Sequence, residues 1–294
     1  MTTNTEDTQL TPASGYKVSR MIFSDPQDGT IPGSTPSIKF KRINIRTKNE
    51  DGTIGDLIIP TERVFSFGVQ DNKSLETGDV NGHVMPLCLW NKEGATPEEE
   101  EWVENFNKIV DKCKKHVIEY REEIGQYDLE LSHLYKFNPL YWKKEKGKVV
   151  EGQGPVLYAK LIESKKQNKI LTMFYDTDGN PIPDSDIHGK YCHANAAIKI
   201  ESIFIGNKIS LQVKLWEAEV AFAGSRMKRL RKQRPEAERR VLGKPTSNSG
   251  VPFGDDDDAN SVGEVGSLDD EPEISPSPVV KKVVRKVKKV VKKN

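Results

Sequence analysis

The sequence predicts a mainly β domain, a barrel or sandwich plugged or flanked by one long α-helix, with a charged tail outside the packed unit. Three observations predict it. Between Tyr16 and about residue 223, short β-type runs (KVSRMIF, SIKFKRINIRT, DLIIP, VFSFGV, MPLCLW) alternate with Asp-Gly, Pro-Gly and Asn-Gly punctuation. One stretch only carries apolar residues at helical spacing. After residue 224 the pattern gives way to blocks of like charge with few aromatics, which cannot bury a core.

The first 15 residues, MTTNTEDTQLTPASG, are polar and acidic, expected to be disordered and unlike a secretory signal. The run from Ser37 to Thr47 reads as a strand. Its odd positions include Ile43 and Ile45, so the odd face is the core candidate. That leaves Phe40, Arg42 and Arg46 facing outward, an aromatic ring interleaved with guanidinium groups. Asn49-Glu50-Asp51-Gly52 then predicts a hairpin turn.

The helix begins at Ala95-Thr96-Pro97-Glu98-Glu99. Thr96 suits the N-cap, Pro97 the first helical position, and Glu98 to Glu101 the positive end of the dipole. Trp102, Phe106, Ile109, Val110, Cys113, Val117 and Tyr120 form one stripe, and Gly125 is the expected stop after Glu123 or Ile124. A mixed aromatic and basic loop, HLYKFNPLYWKKEKGK, follows, then VLYAKLI and KILTMFYDTDGNPI.

The last two strands form a hairpin if Gly206-Asn207 is a two-residue turn. Residue numbers then pair to a sum of 413. Ile198, Ile200, Ser202 and Phe204 oppose Leu215, Val213, Leu211 and Ile209 on an apolar face. The other face pairs Lys199 with Lys214, Glu201 with Gln212, and Ala197 with Trp216.

The net charge of +1 conceals segregation. Residues 1–224 carry 28 Lys+Arg and 33 Asp+Glu. The segment 225–244 is basic, 245–280 holds nine acidic residues and no basic one, and 281–294 holds eight basic residues and no acidic one. The basic blocks favour a polyanion, and the acidic block can compete with that polyanion for basic surface. Deleting 245–280 is then expected to tighten binding. The terminal valines, spaced three and four apart among Lys and Arg, would make a cationic amphipath if helical. It is suited to a polyanion, to the acidic block or to an import receptor.

Catalytic signatures are missing: no GxSxG, P-loop, GxGxxG after a strand, or HExxH. Cys113 with His116, and His188 with Cys192 and His193, come nearest to metal-ligand groupings. Neither has four ligands at paired short spacings. Asp176, Asp178 and Gly179 resemble half a calcium loop, but Ile187 stands where its glutamate belongs, so a hairpin turn is expected. No enzyme, metal or cofactor is implied. No apolar run is long enough for a transmembrane helix. Three scattered cysteines suggest a reducing, intracellular setting.

What remains is aromatic and basic residues on a β scaffold. Single strands are bound without sequence preference by exposed rings for stacking and Lys/Arg for phosphate. Tyr141, Trp142, Lys143 and Lys144 present both on one loop. Tyr158 and Lys160 alternate on one strand, as do Lys214 and Trp216.

The stretch HANAAIKIESIFIGNKISLQVKLWEAEV, with the β–helix–β order before it, resembles the single-stranded DNA-binding proteins of large eukaryotic DNA viruses. Those are similar to the OB-fold single-stranded DNA-binding protein of short-tailed phages. The resemblance spans 16–224 and is carried mainly by 85–120 and 191–222. It implies an OB-fold-like barrel that coats single-stranded DNA in viral replication, recombination or repair, in the host nucleus or a cytoplasmic viral compartment. RNA and a homo-oligomer are compatible with it. In the phage relatives an acidic tail occupies the DNA groove and recruits replication proteins. Asp255, Asp256, Asp257, Asp258, Asp269, Asp270, Glu271 and Glu273 match that character, although here a basic peptide follows them. The alternative is an acidic-tail β-domain that chaperones or packages basic proteins or viral nucleic acid, which the acidic excess of 1–224 suits.

Overall fold

The computed structural model describes residues 7–222, apart from 32–36, 74–77, 91–93, 151, 165–166 and 168. The segments 225–244, 245–280 and 281–294, with the acidic residues at 255–258 and 269–273, lie outside the described residues. The strands in chain order are β1 (Met21–Phe23), β2 (Gln27–Thr30), β3 (Lys39–Lys48), β4 (Ile54–Asp56), β5 (Ile58–Ser66), β6 (Gln70–Lys73) and β7 (Val80–Cys88). Helix α1 (Pro97–Glu119) separates these from β8 (Leu140–Tyr141), β9 (Lys144–Glu145), β10 (Lys148–Val149) and β11 (Val156–Leu161). Then come β12 (Glu163–Ser164), β13 (Lys169–Ile170), β14 (Met173–Tyr175), β15 (Cys192–Ile205) and β16 (Ile209–Phe222).

The fold is mainly β with one long helix, as the sequence predicts. Strands β5, β7, β11, β16 and β15 pair in turn, and β15 pairs with β5 again. Every seam of this ring is antiparallel except β11–β16. Two seams are narrow. β5–β7 holds Phe65–Cys88 and Ser66–Leu87, and β11–β16 holds Lys160–Lys214 and Leu161–Leu215. The ring is therefore a partly open barrel of OB-like kind, not a fully closed one. The second half of β15 also pairs with β3, whose other neighbours are β1, β2 and β4.

One apolar cluster fills the inside. Ile43 and Ile45 of β3, Met85 and Leu87 of β7, and Leu157, Ala159 and Leu161 of β11 meet Phe106, Ile109, Val110, Cys113 and Val117 of α1. The odd face of β3 is thus the core face, as its isoleucines predict. Each fully buried side chain of this size contributes about 1.5–3 kcal/mol. The indole N–H of Trp102 donates to the Pro60 carbonyl at 2.8 Å and pins α1 to β5.

Helix α1 starts as expected. The Thr96 hydroxyl accepts from the Glu99 N–H at 3.2 Å, and the Glu99 carboxylate accepts from the Thr96 N–H at 2.8 Å, a reciprocal capping box. The helix ends at Glu119, earlier than expected from Gly125. Residues 121–125 are turns instead. The N–H groups of Arg121, Ile124 and Gly125 bond three or four residues back, that of Gln126 five back, and Gly125 takes φ 75° at the end of this tightened segment.

Two expectations are corrected. Residues 7–15 pack onto the domain instead of trailing from it. Thr11 N–H bonds the Ile58 carbonyl at 2.7 Å, the Asn49 amide donates to the Asp7 carbonyl at 2.7 Å, and the Asn105 amide donates to the Ala13 carbonyl at 2.9 Å. These bonds satisfy backbone that composition alone would leave to water. The second correction concerns the β15–β16 register. Three predicted pairs hold: Ile198–Leu215, Lys199–Lys214 and Ile200–Val213. The turn takes residues 206–208, so pairs nearest it are Ile205–Ile209, Phe204–Ser210, Ile203–Leu211 and Ser202–Gln212. The register shifts at Glu201 on β15 and back at Trp216 on β16, leaving each without a partner across the hairpin. Each is a β-bulge, and each moves the following side chains to the opposite face. Ile203 and Ile205 therefore join the core cluster, while Ser202 and Phe204 turn to its other face, where both are still buried.

Candidate nucleic-acid interface

The outer face of the barrel is built by alternation from the core positions. On β3, Phe40, Arg42, Asn44 and Arg46 lie opposite Ile43 and Ile45. On β11, Tyr158 and Lys160 lie opposite Leu157, Ala159 and Leu161. On β16, Ser210, Gln212 and Lys214 lie opposite Leu211, Val213 and Leu215. The bulge at Glu201 adds Ser202 and Phe204 from β15.

These residues meet. The rings of Phe40 and Phe204 stack with centroids 4.9 Å apart and planes inclined by 31°. The Arg42 guanidinium carbon lies 5.9 Å from the Phe40 centroid. Register places Phe204 beside both Arg42 and Ser210, Ser202 beside both Asn44 and Gln212, and Lys214 beside Lys160. The Gln212 amide donates to the Ser210 hydroxyl at 2.9 Å.

The electrostatics of this face are unfavourable to itself. Burial holds the Lys214 ammonium below its ordinary pKa. The Glu201 carboxylate pulls it back up, and the Lys160 and Arg42 cations push it further down. Glu163 is nearby, but its carboxylate already accepts from the His83 N–H at 2.7 Å and meets the His83 ring at 2.9 Å. Among the described residues, the Arg42 Nε and the Ser202 hydroxyl are buried polar atoms without hydrogen-bond partners. An anion placed here would satisfy a donor and relieve the repulsion among three cations.

The other site residues expected from sequence divide. Tyr141 is exposed and its ring lies 6.2 Å from that of Tyr158, edge to face. Burial pushes the Tyr158 phenol up to about 12, with Cys88 and Tyr141 adding to the effect, so it stays a neutral ring and hydroxyl. Lys143 is ion-paired to Glu145 at 3.5 Å, and Lys144 is exposed on the β9–β10 hairpin. Arg46 is exposed beside Asp56 in the β3–β4 register. Trp142 is half-buried: it packs against the core and meets Trp90 edge to face at 5.5 Å. Trp216 sits at its bulge with the Lys199 ammonium 5.3 Å from its ring. That ammonium is itself buried in an ion pair with Asp56 at 2.6 Å.

A single alternation carried through the bulge puts Phe204 and Ser202 on the apolar face instead, while Gln212 falls beside Lys214 as expected, paired with Ser202 rather than Glu201. The signal is present in IKIESIFI: apolar positions recur at 198 and 200, then jump three places to 203 and 205. LWEAEV makes the same jump from 215 to 218.

The residues near metal-ligand spacing have other occupations. His116 stacks on Phe23 at 3.9 Å, and His188 meets Asp71 at 3.0 Å. No group of three or more His, Cys, Asp or Glu that could hold a metal occurs among the described residues. The Asp176 carboxylate accepts from the Asp178 and Asn180 N–H groups at 2.9 and 2.8 Å, the hairpin turn expected there. The Asn180 side-chain amide, which donates to the same carboxylate at 3.0 Å, and these backbone bonds hold it below its ordinary pKa. No helix among the described residues is long and apolar enough to cross a membrane.

Similar proteins are viral. Uncharacterized protein 007R of Invertebrate iridescent virus 3 is 27% identical over 242 residues, 79% of this chain and 52% of that protein. The Early 31 kDa protein of Frog virus 3 (isolate Goorha) is 29% identical over 175 residues, 58% of this chain and 66% of that protein. The chain thus spans about half and just under two thirds of the two relatives' lengths. Among solved structures, gp2.5, a single-stranded DNA-binding protein encoded by bacteriophage T7, matches 66% of this chain and 100% of its own. Its TM-score is 0.33 and its sequence identity 12%. Residues 15–261 match the family described as Protein of unknown function (DUF2738), and the chain belongs to that family.

Proposed function

We propose that the protein is a non-catalytic single-stranded DNA-binding protein that coats DNA during viral DNA replication, recombination or repair. One observation carries the reading. The half-buried Lys214 stands between Lys160 and Arg42 on a barrel face that also bears Phe40, Phe204 and Tyr158. Cations crowded against one another, with a buried guanidinium N–H unpartnered, suit phosphate. Rings beside them suit bases, and no element of the arrangement reads a sequence. The acidic stretch at 255–273 would compete for the same face and meet replication proteins.

The acidic excess of residues 1–224 favours a second reading, a chaperone or packaging factor for basic proteins. One experiment separates the two. Fluorescence anisotropy of the full chain is measured with a labelled dT oligonucleotide and with a duplex of equal length, at two salt concentrations. The single strand is expected to bind more tightly, with affinity falling steeply with salt. Arg42→Ala/Lys214→Ala is expected to weaken it about 10–100-fold, one to two charge-assisted bonds' worth. Two cations fewer should also reduce the salt slope by about 1.4. Binding that is indifferent to the double variant would move the activity to the basic segments and put the second reading first.

A further inference from the structure

Between the end of α1 and the β15–β16 turn lies a groove of about 680 Å³, lined on one side by Tyr127, His133, Tyr135 and Lys136 and on the other by Lys208 and Ser210. Tyr127 and Tyr135 are 72% and 76% exposed. Rings so open to water are costly, and a pair of them on one groove is informative where a lone one is not. The loop that carries them is anchored from behind. Leu129, Leu134 and Phe137 are buried in the core cluster, and the Glu130 N–H donates to the His133 ring at 3.2 Å. The rings are thus held in place at little entropic cost on binding. The Lys136 ammonium lies 5.5 Å from the Tyr135 centroid, so a cation accompanies a ring here as well.

The groove joins the barrel face. The Phe204 ring packs so closely over Gly206 that a Cβ there would come within 2.8 Å of it, and Gly206 lines the groove. Ser210, also on the lining, is paired with Phe204 and bonded to Gln212. The half-buried Phe40 and the groove therefore lie on either side of the buried Phe204 ring, with Arg42 at one end and Lys208 and Lys136 at the other.

We infer that the groove is a second stacking subsite for the same nucleic-acid strand, a conclusion that rests on the single-strand reading above. A strand leaving Phe40 and Arg42 passes over Gly206, beneath which Phe204 is packed, and lays bases on Tyr127 and Tyr135, with Lys136 and Lys208 toward its phosphates. Short oligonucleotides fill the barrel face alone, and longer ones fill both.

The test uses the full chain with labelled dT of about 5 and about 16 nucleotides, within the range one OB domain covers. Tyr127→Ala/Tyr135→Ala is expected to weaken the longer strand about tenfold or more and the shorter one less than twofold. Tyr127→Phe/Tyr135→Phe keeps the ring faces and should bind as the parent does. An unchanged long-strand affinity in the alanine pair, with loss in Arg42→Ala/Lys214→Ala, would overturn the subsite and leave the barrel-face reading standing. Equal loss in the phenylalanine and alanine pairs would overturn stacking as its basis. Indifference to Arg42→Ala/Lys214→Ala would sink the barrel-face reading, and this inference with it.

Discussion

Lys199 and Lys214 face each other across the β15–β16 hairpin, yet the regions around them are built differently. Lys199 is enclosed: its side chain is 6% exposed, its ammonium is 2.6 Å from the Asp56 carboxylate, and Trp216 covers it. Lys214 forms no ion pair among the described residues, and the charges that act on it are Glu201 and Glu163 on one side and Lys160 and Arg42 on the other. On the Lys199 side each charge has its counterpart and ties β4 to the barrel. On the Lys214 side like charges from Lys160 and Arg42 oppose the ammonium while Glu201 and Glu163 favour it, with no carboxylate in direct ion-pair contact with Lys214 among the described residues. The burial of one lysine is thus compensated by a carboxylate in direct contact, and that of the other is not, which is the contrast the proposed function rests on.

The largest expected effect lies on the structural side. Lys199→Ala leaves the Asp56 carboxylate buried without a counter-charge and is expected to cost about 3–5 kcal/mol of stability in urea unfolding. Lys199→Met/Asp56→Leu removes both charges and should recover most of that loss. Neither change should alter single-strand affinity among folded molecules. An affinity loss as large as that of Lys214 variants would erase the distinction between the two regions.

How much of this was legible in the sequence follows from the period of each element. The capping box at Thr96 and Glu99, the stripe of α1 and the inward isoleucines of β3 are local patterns, and each was readable because one period runs unbroken through it. So were the outward places of Phe40, Arg42, Tyr158 and Lys160. The β15–β16 hairpin was readable only between its bulges, since one extra residue at Glu201 and another at Trp216 reverse every side chain beyond them. The packing of Trp142 and of residues 7–15 was not legible for a different reason. Whether a loop tryptophan finds a partner such as Trp90, or a polar segment finds the Ile58 strand, depends on contacts far along the chain that spacing does not encode. Phe204 illustrates the cost: its place beside Arg42, the centre of the candidate site, appears only once the bulge is placed.

The next effect sharpens the functional side. Lys214→Met is expected to weaken single-strand binding about tenfold, one charge-assisted contact, while leaving the fold as stable as the parent or more so at neutral pH. The folded pKa of Lys214 lies below its unfolded value, so between the two the unfolded chain holds more protons. Stability of the parent therefore rises with pH through that window, up to about 10.5. The methionine variant lacks this rise, which thermal unfolding across alkaline pH would register. A variant that loses stability and binding together would show Lys214 to be a structural lysine like Lys199.

The smallest effect contrasts two buried hydroxyls. Thr47, inside, shares a hydrogen bond of 2.9 Å with the Tyr16 phenol. Thr47→Ala leaves that phenol unpaired and is expected to cost about 1–3 kcal/mol. Ser202, outside, has a buried hydroxyl without a partner among the described residues. Ser202→Ala removes an unmet desolvation cost, so stability should stay level or rise by less than about 1 kcal/mol. Its single-strand affinity should fall about two- to fivefold, if the hydroxyl is what a phosphate or sugar oxygen meets beside Arg42. The same chemical deletion then acts with opposite sign on the two sides of one sheet. Thr47 is paired within the fold, and Ser202 is not. Loss of stability in Ser202→Ala with binding intact would mean that its hydroxyl has a structural partner, and the outer face would lose one of its two unpaired groups.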